Sequence, residues 1–301
     1  MSEKTEDETE TAPTKVNARW GQDRRLAFID FRLRWDGRIN RSDLTDYFGI
    51  SVPQASLDIA RYIELAPQNL SYDRSSRVYL ATEAFRPLSN ENQPQRYLND
   101  LLASTTGVIE PEASYIGWRP SVDSVPQPGR EVQAETLAAL LKAIREEKGL
   151  NVVYQSMSRL EPATRVISPH AMAYDGFRWH VRAFCHSRSR FLDFVLGRIV
   201  EVASLEEVSA VVSEDIEWQT MLTLVLAPHP DLTAGKRRAI ELDYGMTDGE
   251  GKLICRQALL SYTLKRLGLN GPLSQSPEAQ QIVLKNKSEL ESFLSVSPSN
   301  S

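Results

Sequence analysis

Apolar residues recur every three or four positions in three successive segments near the start of the chain, which is the spacing of helices with one buried face. The first segment runs from Trp20 to Trp35. Asn40 is a suitable N-cap for the second segment, and Ser51 followed by Gln54 forms a capping box at the third. We therefore predict three helices before Pro67.

The third predicted helix buries Ala55, Ile59 and Tyr62, so helical geometry turns its opposite face outward. Residues 67–80 predict a hairpin with arginines at its tip. Three helices followed by a basic hairpin predict a winged helix-turn-helix that binds double-stranded DNA. A three-helix packing module without a DNA role is the alternative. The predicted DNA contacts are Ser51, Gln54, Ser56, Leu57, Arg61, Arg74 and Arg77.

The middle of the chain predicts one helix that leads into several short strands. The helix spans Gln133–Lys148 and a first strand spans Leu150–Met157. Three more strands are predicted between Arg165 and Ile199, with a hairpin turn at Asp175-Gly176. One helix followed by short strands is typical of a small SH3-like (Sm-like) β-barrel.

Strand and helix periods alternate in the last third of the chain. Trp218–Ala227 and Lys252–Arg256 predict strands, while Thr233–Leu242 and Leu259–Leu267 predict helices. The whole chain is therefore predicted to be an α+β multidomain protein. We place a disordered acidic tail at residues 1–17, the winged helix at 18–88, a helical connector at 89–120, the barrel domain at 121–212 and a small α+β domain at 213–295.

Composition narrows the class of protein. The 301 residues are 41% hydrophobic and 25% charged, which is typical of a soluble globular protein. We find no apolar run of about 18 residues, so no membrane partner is expected. The acidic N-terminus lacks an apolar segment, so no secretory signal is expected. Cys185 and Cys255 are the only cysteines, which favours a reducing cytoplasm over a disulfide framework.

Positive charge is concentrated in the middle of an otherwise acidic chain. The net charge is −5, yet residues 156–198 contain seven Arg against three acidic side chains. Basic and apolar residues alternate over residues 178–183, which predicts a strand with one basic face. Such a face suits an anionic ligand, although a merely solvated face is the alternative. Trp179, Phe194 and Leu196 are predicted to lie in the core.

A family resemblance covers residues 19–293. The stretches that carry it are Ser51–Tyr62 (SVPQASLDIARY), Pro67–Tyr79 (PQNLSYDRSSRVY), Ser168–His170 (SPH), Arg178–Phe184 (RWHVRAF) and Phe191–Ile199 (FLDFVLGRI). Together they resemble the WYL-domain transcriptional regulators, which combine a winged helix, a WYL barrel and a C-terminal WCX domain. The resemblance is closest to the BrxR or CapW subgroup, which controls bacterial anti-phage defence operons.

The resemblance implies a homodimeric repressor in the bacterial cytoplasm, associated with the nucleoid, that binds an inverted-repeat operator. Its WCX domain would dimerise, and its barrel would bind a nucleotide or nucleic-acid effector without any cofactor. The family's Trp-Tyr-Leu triplet stands here as Trp179-His180-Val181. By similarity, the expected effector contacts are Tyr154, Ser156, His170, Arg178, His180, Arg182 and Arg198.

An enzyme is the main competing function. A nuclease or phosphodiesterase would use His170 and His180 as an acid–base pair. We find no P-loop, HExxH or GxSxG motif, so we expect no catalysis. A metal site from these histidines with Cys185 and His186 matches no structural zinc spacing, so we expect none. A DNA-binding dimer with an empty barrel is the third possibility.

Overall fold

The computed structural model describes residues 15–89, 92–271 and 276–294. It divides into an N-terminal unit, residues 1–126, and a C-terminal unit, residues 127–301. The predicted acidic tail lies outside the described residues except for Lys15–Asn17, which begin the first helix. The polar end of the chain, residues 297–301, also lies outside them. Within the described ranges, no helix combines the length and apolar character needed to span a bilayer.

The N-terminal unit contains the predicted helices and hairpin. In chain order its elements are α1 (Lys15–Asp36), β1 (Arg38–Ile39), α2 (Arg41–Phe48), α3 (Val52–Leu65), β2 (Leu70–Asp73), β3 (Val78–Ala81) and α4 (Pro94–Thr105). The strands form an antiparallel sheet in the order β1-β3-β2. This is the architecture of a winged helix, with the β2–β3 hairpin as its wing.

Local signals define the ends of α2 and α3. The backbone N–H of Asn40 donates to the Asp43 carboxylate over 2.6 Å, which caps the start of α2. Gly49 ends α2 with a φ of 65° and donates its N–H to Thr45 O over 2.9 Å. The Ser51 hydroxyl accepts from the Gln54 N–H at 3.4 Å, so α3 begins where the sequence predicted.

The C-terminal unit begins with one helix and a five-stranded antiparallel sheet. These elements are α5 (Ala134–Glu146), β4 (Gly149–Tyr154), β5 (Ala163–Tyr174), β6 (Trp179–Cys185), β7 (Arg190–Val195) and β8 (Ile199–Glu206). The strand order is β7-β6-β5-β4-β8. Among the described residues β7 pairs only with β6 and β8 only with β4, so the sheet is open and the expected closed barrel is not confirmed. The chain leaves β7 through a 3-10 turn at Leu196–Arg198, and β8 then pairs at the opposite edge.

One face of this sheet packs on α5. Val181 and Ala183 of β6 pack toward α5, where Leu140 and Ala143 complete an apolar core. Phe194 and Leu196 are buried as predicted. The prediction that Trp179 lies in the core is wrong, because its side chain is 50% exposed. Trp179 is the first residue of β6, at the end of the strand, where less of the unit surrounds it.

A second sheet follows in the same unit. Its elements are α6 (Ile216–Gln219), β9 (Met221–Pro228), α7 (Ala234–Asp243), β10 (Gly251–Arg256), α8 (Leu260–Arg266), β11 (Ile282–Leu284) and α9 (Lys287–Leu294). The strands run antiparallel in the order β10-β9-β11. Trp218, predicted to begin a strand, lies in α6 instead. Its N–H donates to the Asp215 carboxylate over 3.2 Å, which caps this short helix.

Candidate functional site

The inner face of α3 is fixed to the rest of the N-terminal unit. Ala55, Ile59 and Tyr62 are buried, as their spacing predicted. Asp58 is also buried and accepts from Arg25 Nε of α1 at 2.6 Å. The orientation of α3 is therefore set by an ion pair as well as by apolar packing.

The outer face of α3 carries the predicted reading residues. Leu57 is 64% exposed. Arg61 is exposed and contacts Glu64 one turn later at 2.8 Å, a surface pair that costs little to break. Gln54 is partly buried and donates to Asp58 over 3.2 Å, so it must release this bond to reach a base.

Two predicted DNA contacts also have structural roles. Ser51 caps α3. The Ser56 hydroxyl accepts from Arg41 Nε at 2.9 Å, and the same guanidinium donates to the Tyr79 hydroxyl over 3.1 Å. Arg41 thereby connects α2, α3 and the wing strand β3.

The wing presents two free cations. Asp73 accepts from the backbone N–H of Ser75 and Ser76 at 2.9 and 3.4 Å and so shapes the turn. Arg77 has a φ of 57°, the left-handed conformation that closes the hairpin. Arg74 and Arg77 are exposed, and within the described ranges neither forms an ion pair or side-chain hydrogen bond.

Arg182, predicted to contact an effector, lies inside the C-terminal unit with 1% of its surface exposed. It donates from Nε and Nη2 to the two oxygens of Asp215, each over 2.8 Å. It also contacts Glu217 at 2.7 Å and Asp193 at 3.4 Å. Burial alone would lower the pKa of Arg182, but these carboxylates raise it above its ordinary value. We call these four residues the Arg182 network.

The two central histidines are each bonded to a different carboxylate. His170 Nε2 lies 2.9 Å from Asp215 Oδ2, and His180 Nε2 lies 2.9 Å from Asp175 Oδ2. Burial raises the pKa of Asp215, but the hydrogen bonds from Arg182 and His170 outweigh it and lower that pKa to about 2. His180 and backbone N–H groups likewise overcome the effect of burial and lower the pKa of Asp175 to about 2. The predicted basic face is therefore neutralised by the protein's own carboxylates.

Tyr154 and Ser156 are buried as well. The Tyr154 ring packs edge-on against Phe194 with centroids 5.0 Å apart, and its hydroxyl accepts from the Val195 N–H at 3.2 Å. The Ser156 hydroxyl lies 3.2 Å from that of Ser158. Both residues support the sheet rather than line an opening.

Arg178 and Arg198, the remaining two expected effector contacts, line an open cleft of about 420 Å³. Arg178 Nε contacts Asp175 at 3.3 Å, while the Arg198 side chain has no polar partner in the part of the chain that the structure describes. The cleft is also lined by Arg130, Glu131, Tyr174, Phe177 and Trp179. We call this opening the Arg178 cleft; it combines guanidinium groups with half-exposed aromatic rings.

Several of these residues carry no local signal in the sequence. Asp215 and Glu217 lie more than thirty positions after Arg182 and were not expected to bind it. Arg130 likewise has no local signal for a binding role. Phe177 of the cleft has such a signal, since it directly follows the Asp-Gly turn, where side chains are commonly exposed, whereas Trp179 lies three residues beyond Gly176.

Three protein-family models match the chain. They are the BrxR transcriptional regulator winged helix-turn-helix domain over residues 21–103, the WYL domain over 135–204, and the BrxR transcriptional regulator C-terminal dimerization domain over 221–290. A solved structure, proteasome accessory factor B/C of Arthrobacter aurescens, matches with 15% identity and a TM-score of 0.29. That match covers 86% of this chain and 45% of the other, so this chain spans less than half of that protein.

Curated relatives match along nearly the whole chain, and each is named DNA-binding transcriptional repressor CapW. The protein from Escherichia coli (strain KTE188) is 47% identical over 292 residues, covering 96% of this chain and 97% of its own. The Pseudomonas aeruginosa protein is 47% identical, covering 97% and 98%, and the Stenotrophomonas maltophilia protein is 46% identical, covering 92% and 93%. The chain therefore belongs to the BrxR and CapW family of WYL-domain, DNA-binding transcriptional repressors.

Proposed function

We propose that this chain is a cytoplasmic homodimeric repressor that binds an inverted repeat upstream of its own anti-phage defence operon, and that an effector in the Arg178 cleft changes its affinity for that operator. The DNA-reading part of this proposal depends on the exposed face of α3. Leu57 and Arg61 project outward from this helix, whose inner face is anchored in the N-terminal unit. The resemblance of the chain to the BrxR and CapW subgroup supports the proposal that the controlled operon is an anti-phage defence operon.

The α3 face has the chemistry that the major groove requires. Leu57 would contact a thymine methyl, and Arg61 would reach a guanine edge or a phosphate after leaving Glu64. Arg74 and Arg77 would hold phosphates beside it. Two copies related by a two-fold axis would place their α3 helices about 34–36 Å apart, one turn of DNA, or a multiple of it.

A mobility-shift titration with the DNA upstream of the gene tests this reading. We expect Arg61→Ala and Leu57→Ala each to weaken operator binding by about 1–3 kcal/mol. Arg237→Ala is the matched control, because Arg237 is an exposed arginine on α7 of the C-terminal unit. Unchanged binding by both α3 variants would reject α3 as the reading helix.

Of the seven residues expected to contact the effector, the proposal assigns that role to Arg178 and Arg198. Arginine forks bind phosphate oxygens, and exposed aromatic rings stack on bases, so the Arg178 cleft suits a nucleotide or short oligonucleotide. The other five expected contacts, Tyr154, Ser156, His170, His180 and Arg182, are already bonded within the protein and are not needed for this proposal.

Competition between operator DNA and labelled oligonucleotides tests the effector site. We expect Arg198→Ala to bind the operator as wild type does but to lose its response to the oligonucleotide. Arg188→Ala, an exposed arginine in the turn between β6 and β7, is the control. Degradation of the oligonucleotide during incubation would instead support the nuclease alternative.

A further inference from the structure

Strand β10 is an uncovered edge of the C-terminal sheet. Within the described residues it pairs with β9 along its whole length and with no strand on its other side. An open edge presents unpaired backbone groups that readily join another chain, and soluble proteins usually protect such edges. β10 instead exposes apolar side chains on both faces of the sheet.

The exposed side chains indicate what kind of partner covers this edge. Leu253 is paired with Leu224 on the core face and remains 38% exposed, whereas Ile254 is paired with Thr223 on the outer face and is 63% exposed. A partner packed on one face of the sheet would cover only one of them. An added strand would flank both, because neighbouring residues of a strand point to opposite faces.

An opening beside β10 completes the surface. A cavity of about 690 Å³ lies at the strand, lined by Tyr244, Met246, Leu253 and Leu267 among others. Thr247, Asp248, Glu250 and Lys252 line it as well, so the opening offers both apolar and charged contacts to an added strand.

We propose that β10 pairs antiparallel with β10 of a second copy, so that two three-stranded sheets join into one six-stranded sheet about a two-fold axis. This inference rests on the homodimer in the proposed function and names its surface, which lies within the residues matched by the dimerization-domain model. An antiparallel pair of identical strands is self-complementary, as two-fold symmetry requires.

Charge selects the register of this pairing. Residues that lie opposite each other in the paired strands must point to the same face of the sheet. Since successive residues alternate between faces, the two-fold axis must pass through a residue and not between two residues. An axis at Lys252 would oppose Lys252 with the partner's Lys252, and an axis at Ile254 would oppose Lys252 with the partner's Arg256; both place like charges together. Axes at Gly251 or Cys255 leave half of the strand or more unpaired.

An axis at Leu253 avoids these conflicts. It opposes Leu253 with the partner's Leu253, Ile254 with the partner's Lys252, and Glu250 with the partner's Arg256. The long aliphatic part of Lys252 would cover Ile254 on the outer face. The interface is therefore centred on Leu253.

Cysteine cross-linking tests the register. Under mild oxidation we expect Leu253→Cys to form a disulfide-linked dimer, because directly opposed strand residues approach within disulfide reach. Leu242→Cys, on exposed α7, and the wild-type chain with its Cys255 are expected to stay uncrosslinked. No cross-link at position 253 would overturn this register.

A charge-rescue experiment tests the edge independently, with sedimentation as the measurement. Ile254→Lys would oppose Lys252 with a like charge twice per dimer, and we expect dimerisation to weaken about tenfold. Adding Lys252→Glu would restore opposite charges and the dimer. Because Ile254 is exposed, the fold should remain intact, which circular dichroism would verify.

The outcomes separate this inference from the proposed function. A mass that stays at twice 33.9 kDa in Ile254→Lys, with no cross-link at Leu253→Cys, would overturn the edge interface even if the operator is bound. If Leu253→Cys cross-links as expected but the wild-type chain does not shift the operator, the interface stands and the operator proposal is rejected.

Discussion

Arg182 holds three carboxylates inside the C-terminal unit. Removing its guanidinium would leave Asp215 and Asp193 buried without their cation, and burial already raises the pKa of Asp193. We expect Arg182→Ala to lower the free energy of unfolding by about 3–5 kcal/mol, since an unpaired buried charge is costly. Urea unfolding measures this loss.

Arg188→Ala is the control for this substitution, because Arg188 is exposed in the turn after β6. It should change the free energy of unfolding by less than about 0.5 kcal/mol. Equal stability of the two variants would contradict a structural role for the Arg182 network.

Asp215 makes stability depend on pH in acid. Its pKa falls from an ordinary 3.8 to about 2 in the folded protein, so the unfolded chain binds this proton more tightly. The stabilisation is fully present above about pH 4 and is lost as the pH falls toward 2. We expect Asp215→Asn to flatten the dependence of the unfolding free energy on pH in this window.

Urea unfolding at a series of pH values measures this slope. Asp175 shifts in the same direction, so part of the slope should remain in Asp215→Asn. Asp243→Asn, at an exposed position at the end of α7, should reproduce the wild-type slope. An unchanged slope in Asp215→Asn would contradict the assigned bonds.

At the scale of elements, the turn between α2 and α3 depends on one backbone conformation. Gly49 has a φ of 65°, which disfavours any residue with a Cβ. We expect Gly49→Ala to destabilise the protein by about 1–2 kcal/mol. Gly129→Ala is the matched control, since its added Cβ meets no atom within 4 Å and its φ is not left-handed. Thermal unfolding compares the two, and equal melting temperatures would argue against strain at Gly49.

The elements also differ in whether local sequence or a distant partner strand determines them. α1, α2, α3 and the wing follow from local periodicity and caps, and the structure confirms them. β8 and β11 were not predicted from the sequence, because neither has a strong alternating pattern and each depends on a partner far along the chain. The open sheet, in place of the expected closed barrel, likewise follows from which strands meet.

At the scale of the whole molecule, the chain is acidic overall and yet belongs to a DNA-binding family. The net charge is −5, but Arg61, Arg74 and Arg77 place positive charge on the proposed DNA-reading surface. If each wing arginine neutralises a phosphate, Arg74→Ala should flatten the dependence of log affinity on log salt by roughly 2 per dimer. Operator titrations at several salt concentrations measure the slope, with Arg237→Ala as the control. An unaltered slope would place the wing away from DNA.

The sequence by itself determined the winged helix, the alternation of β6 and the family. Helix periods, caps and an Asp-Gly turn act over a few residues, so their physics is readable along the chain. It also located the concentration of arginines and histidines in the middle of the chain.

Only the tertiary structure decided what those cations contact. Alternation placed His180 and Arg182 on one face but could not show that Asp215 and Glu217, from a distant segment, would cover it. A buried guanidinium requires carboxylates, and the chain supplies them through folding, not through neighbouring positions. The same process left Arg178, Arg198 and Trp179 lining an open cleft in the part of the chain that the structure describes.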